Sequence, residues 1–157
     1  MKLTIELVPS TCWYSNVRSN VSPGTWALIQ RQVCADARQR CQICGRQGIR
    51  HPVEAHEVWA YHDGLRQQTL VGLVALCPDC HSVKHIGRAL SQGTHARALA
   101  WFMRVNQLTA QSALDAIRAA LAVHKERSQH LWRLDVSLLA NRYSVSLDPN
   151  GRERGLA

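Results

Sequence analysis

An α+β fold is predicted by three features of the chain. Residues 53–76 hold two β-like runs, "VEAHEVWAY" and "LRQQTLVGLVAL", around the turn signal Asp63-Gly64, so the segment reads as a β-hairpin. A Cys-x-x-Cys pair stands on each side of it, "CQIC" at 41–44 and "CPDC" at 77–80. Helical patterning fills the sequence before the first pair and after the second. The core is therefore expected to be a hairpin and a following helix stapled by a four-cysteine zinc site, with an N-terminal helix and a C-terminal helical hairpin around it.

"KLTIELV" alternates with period two and reads as a short strand with Leu3, Ile5 and Leu7 on one face. "SPGTWALIQRQVCADARQR" reads as a helix with Ser22 as N-cap, Pro23 at its first position and Trp26, Ile29, Val33 and Ala37 along one side. After the hairpin, Pro78 and "CHSVKHIGRAL" return to helical character until a break at Gly93. "THARALAWFMRVNQ" and "TAQSALDAIRAALAVHKERS" read as two antiparallel helices, the second capped by Thr109, with Leu114, Ile117 and Leu121 on one apolar face. "LWRLDVSLL" fits a strand beside the first one or a short helix, and the polar "DPNGRERGLA" is expected to fray. The organisation expected is an N-terminal strand and helix over 1–40, a zinc-stapled core over 41–92, a helical extension over 93–145 and a flexible tail over 146–157.

With 19 Lys plus Arg against 11 Asp plus Glu, the 157 residues carry a formal charge of +8, which favours a partner dense in phosphate. No apolar run approaches the roughly 20 residues that cross a bilayer, so no membrane partner is expected and the protein is placed in the cytoplasm. In a reducing compartment, grouped cysteines read as metal ligands. Two Cys-x-x-Cys turns, Cys41 with Cys44 and Cys77 with Cys80, complete a tetrahedron around Zn²⁺; such a site has no open position and is structural. Cys12 and Cys34 lack partners at ligand spacing and read as core.

His81 and His85 lie four residues apart on the helix expected near Cys80, which puts both imidazoles on one face, able to chelate a second divalent cation or simply to lie in solvent. From Cys41 to His85 the sequence, through "CQIC", "EAHEVW" and "LVALCPDCHSVKH", resembles the zinc-stabilised subgroup of the HNH endonucleases. The resemblance implies a ββα-metal (HNH) core that grips one catalytic divalent metal (Mg²⁺, Mn²⁺, Ni²⁺ or Zn²⁺) against a scissile phosphate. It further implies His56 as the general base, and His81 and His85 as the catalytic metal's ligands. Two positions depart from that pattern: Ala55 stands where an Asp or His ligand is usual, and Gly72 where an Asn orients the base. The first departure leaves His56 itself open as a third ligand. Glu54 and Glu57 are both expected to face away from His56, and Gln67 or Gln68 is a candidate to cover the missing Asn.

Arg31, Arg38, Arg40, Arg46 and Arg50 crowd the approach to the first cysteine pair, and of these Arg38, Arg40, Arg46 and Arg50, together with Lys84, are taken as phosphate contacts or a solvated basic face. His51, His62, His95, His124 and His130 read as ordinary polar positions, and the five tryptophans mostly as core, with Trp13 in a polar stretch that suits nucleic acid. The expected function is a metal-dependent endonuclease acting on double-stranded DNA. The alternative is a zinc-stabilised nucleic-acid-binding or protein-interaction module that keeps the fold but not the activity, and the C-terminal helices, residues 94–128, are a candidate protein interface.

Overall fold

The structure, a computed structural model, describes residues 1–47 and 52–155. It is α+β, with one three-stranded sheet and seven α-helices among the described residues. After a short turn of helix, α1 (Val17–Asn20), α2 runs from Pro23 to Asp36. Ser22 caps it by accepting from the Thr25 backbone N–H, and Trp26, Ile29 and Val33 are buried as the spacing requires. The chain leaves α2 through two successive left-handed residues, Arg38 and Gln39 (φ 51° and 54°), which turn it sharply into the first cysteine pair. There the Gly45 N–H donates to the Cys41 carbonyl, a tight turn that puts φ of Gly45 at +74°.

The hairpin forms as expected: β1 (Glu54–His62) pairs antiparallel with β2 (Gln67–Leu76), in register from Glu54↔Leu76 to His62↔Gln67 with a bulge between Val58 and Trp59. Asp63–Leu65 make a 3-10 turn between them. The knuckle around Cys41 is tied to the end of β2, because Gln42 N donates to the Ala75 carbonyl and Ala75 N to the Gln42 side chain. α3 (Pro78–Lys84) follows and breaks at His85 (φ −102°, ψ 43°), after which α4 (Ile86–Ser91) begins. α5 (His95–Asn106) packs on α3, and α6 (Ala110–Arg127) follows from the cap Thr109. The core runs between these layers through Leu3, Leu76, Ile86, Phe102 and Leu139, all at most 1 % exposed.

Four expectations are corrected. Residues 2–8 form no strand. Leu3 is buried, but the backbone there is held by a side chain: Asn106 Oδ1 accepts from the Lys2 and Leu3 N–H groups and its Nδ2 donates to the Leu3 carbonyl. Period-two alternation reports one buried face, and not whether a ladder satisfies the backbone. In α6, Leu114 and Leu121 are each 38 % exposed; of the expected face Ile117 packs against the core, together with Ala116 and the fully buried Ala113. "LWRLDVSLL" divides into a strand and a helix: β3 (Arg133–Asp135) runs parallel to the start of β2, and α7 spans Ser137–Tyr143. Up to residue 155 the tail folds back onto α2, where Glu153 accepts from Ser22 N and from Thr25 Oγ1, both at 2.6 Å. No helix among the described residues is long and apolar enough to cross a membrane.

Candidate metal centres

The two cysteine pairs converge. Cys41 and Cys44 come from the knuckle, Cys77 caps α3 and Cys80 lies in its first turn; one sulfur from each falls within 4.8 Å of the other three. Cys44 and Cys77 sulfurs are 3.6 Å apart, close to the ~3.8 Å edge of a tetrahedron with zinc–sulfur bonds of about 2.3 Å. Four reduced thiols in this arrangement can hold a structural zinc ion. Hydrogen bonds from Cys77 and Cys80 draw the Cys41 thiol far below its ordinary range, and its thiolate in turn pushes both of those thiols up. A first negative charge thus forms readily, and the remaining ones call for a cation.

An outer layer surrounds these sulfurs. Trp101 of α5 donates its Nε1–H to Cys80 Sγ at 3.2 Å. Arg46 stacks over the Trp101 ring at 4.0 Å and pairs with Asp79, which also takes Arg97 at 2.8 Å. Burial alone would raise the Asp79 carboxyl, but the two guanidinium groups outweigh it and hold it below the usual range. Arg46 thus belongs to the layer around the cysteine centre. Arg38 and Arg40 are exposed, with Arg40 reaching back to the Gly45 carbonyl at 3.4 Å; Arg50 lies outside the described residues. Sequence patterning took Trp101 for core and could not link it to Cys80.

The second cluster joins strand to helix. His56 of β1 meets His81 and His85 with ring centroids 5.1 and 5.0 Å away, and the two helix rings are 4.8 Å apart. One nitrogen from each of the three lies within 4.8 Å of the others, and His81 and His85 Nε2 are 3.1 Å apart. His56 Nε2 is buried without a hydrogen-bond partner among the described residues, as a nitrogen able to take a cation would be. Burial, with the charges of His56, His81 and Arg88, pushes His85 down to about 4, and burial with His56 lowers His81. Imidazoles kept neutral in this way are in the ligand form. The donor set therefore fits a divalent metal of nitrogen preference.

Strand alternation gives Glu54 and His56 the same face, correcting the expectation that Glu54 points away: Glu54 Oε2 lies 3.0 Å from His81 Nδ1. Glu57 does take the opposite face, accepting from Val17 N and Trp59 Nε1. Neither glutamine covers the missing Asn, since Gln67 turns to Thr69 and Asp135 and the buried Gln68 to the Ser15 carbonyl. Gly72 stands opposite Val58, and a Cβ there would meet nothing within 4 Å. Lys84 is turned away from solvent: it is 5 % exposed and pairs with Glu6 and Thr4.

A cleft of about 170 Å³ opens beside the histidines, lined by Glu54, His81, Ser82, His85, Arg88 and Gln92. Arg88, exposed and without an ion pair among the described residues, was missed in the sequence because it lies outside the quoted motif. A larger cavity of about 240 Å³ between α2 and the tail, lined by Leu28, Tyr143 and Glu153 among others, touches neither cluster. Set against protein-family models, curated proteins and solved structures, the chain has no significant match.

Proposed function

We propose that the protein is a metal-dependent endonuclease of HNH type that hydrolyses phosphodiester bonds in double-stranded DNA, built on a ββα-metal core. The observation that carries this reading is the meeting of His56 from the first hairpin strand with His81 and His85 from the helix after the hairpin, beside an open cleft. His56, His81 and His85 would hold the catalytic cation, and Glu54, 3.0 Å from His81 Nδ1, would accept from that nitrogen and leave Nε2 free as a ligand. A divalent cation held there supplies Lewis-acid stabilisation to a phosphoryl group. Arg88 presents its guanidinium on the cleft wall to a phosphate oxygen. Cys41, Cys44, Cys77 and Cys80, closed around zinc, lock the knuckle to α3 and so fix the spacing of the histidines.

Using His56 as a ligand answers the loss at Ala55, and it changes the role that the family resemblance assigns to it. Among the described residues the same use leaves no further imidazole at the cleft as base, and together with Gly72 this favours a second reading, a DNA-binding module without cleavage. One experiment separates them. Zinc-loaded protein should nick supercoiled plasmid in Mg²⁺, Mn²⁺, Ni²⁺ or Zn²⁺, and His56→Ala, His81→Ala and His85→Ala should each lower the rate on the order of 10²-fold while keeping the thiolate zinc. DNA binding with no nicking under any of the four cations assigns the protein to the module.

A further inference from the structure

The N-terminal segment crosses the histidine cluster as a strap. Asn106 clamps it at Lys2 and Leu3, with three hydrogen bonds of 2.8–3.0 Å, and Leu7 packs against α4, 3.5 Å from the Cβ position of Gly87. Between these anchors the strap carries Glu6. Its Oε1 is fully occupied, accepting from Thr4 Oγ1 and from buried Lys84, which stands in sequence between His81 and His85. Its Oε2 accepts no hydrogen bond among the described residues and lies 3.7 Å from His56 Nε2, itself buried and unpartnered.

Two unpartnered polar atoms facing each other across 3.7 Å need positive charge at one of them or beside both. A role confined to pairing Lys84 would not account for the second oxygen. Imidazole ligands bring no negative charge to offset that of a divalent cation, and Lys84 and Arg88 beside the cluster are positive. We infer that Glu6 is the acidic member of the histidine metal centre: a carboxylate, delivered by the strap and steadied by Lys84, whose Oε2 faces the cation beside His56 Nε2 and raises the centre's affinity for it. Loss of even an outer carboxylate costs a metal site about 10–100-fold in affinity. The inference rests on the metal centre of the proposed function and not on cleavage.

The test uses the full chain with zinc in the thiolate site and Co²⁺ titrated into the histidines, followed by calorimetry and the visible Co²⁺ spectrum. Glu6→Gln keeps an acceptor for Lys84 while removing the charge. It should retain one zinc and its melting temperature, bind Co²⁺ about 10-fold or more weakly, and change the Co²⁺ band. Parent affinity and an unchanged band in Glu6→Gln overturn the inference and leave the metal centre standing. A parent that takes up no Co²⁺ beyond the thiolate zinc overturns both. Should Glu6→Gln fail to fold, Asn106→Ala decides, because it loosens the strap without touching a histidine: several-fold weaker Co²⁺ binding supports the inference, and parent affinity ends it.

Discussion

Trp101 Nε1–H points at Cys80 Sγ from a helix that begins well after the last cysteine, and Arg46 covers the outer face of the same indole. A hydrogen bond to a metal thiolate offsets part of its charge and slows its protonation, so the effect belongs to zinc retention more than to packing. Trp101→Phe keeps most of the buried ring and removes only the donor. The variant should fold with one zinc and surrender it to a competing chelator at about 10-fold lower concentration than the parent does. Equal retention in the two proteins would reduce the indole to packing. Lys84 makes a related point about single side chains: an amine read as facing phosphate or solvent is buried against Glu6, because the strap that covers it is remote in sequence.

Elements whose partners lie close in sequence were legible before any coordinates. The hairpin followed from alternation around Asp63-Gly64, α2 from Ser22 and Pro23, and the cysteine cluster from two turns that each carry their own spacing. The strap and the tail were not, because their partners are remote in sequence: Lys84 for Glu6, and Ser22 and Thr25 for Glu153. The His81/His85 pair was legible as a helix face, whereas the part of Glu54 was lost by treating residues two apart on a strand as facing opposite ways. Glu153 adds a second acceptor to the start of α2, where free N–H groups and the helix dipole favour negative charge. Glu153→Ala should therefore destabilise the protein by about 1 kcal/mol in urea unfolding, the usual size of a lost N-terminal cap. An unchanged unfolding midpoint would return the tail to the frayed state expected from its composition.

Over the whole molecule the charge of +8 is spread among roles that the sequence could not separate. Arg46 is committed to Asp79 and Trp101, Arg127 to Asp63 at 2.8 Å, and Lys84 to Glu6, whereas Arg88 stands on the cleft wall without an ion pair among the described residues. A cation already paired with a carboxylate gains little from phosphate, because its partner must be displaced, while an uncommitted guanidinium releases counterions from DNA when it binds. On the proposed function, Arg88→Ala should flatten the slope of log affinity for duplex DNA against log salt by about 0.9, one phosphate contact, and leave the melting temperature within about 1 °C of the parent. Arg46→Ala should do the reverse, lowering zinc retention and stability with the salt slope intact. Fluorescence anisotropy over a salt series, with zinc content measured on the same samples, reads both. A slope unchanged by Arg88→Ala but flattened by Arg46→Ala would move the DNA path from the histidine cleft to the knuckle.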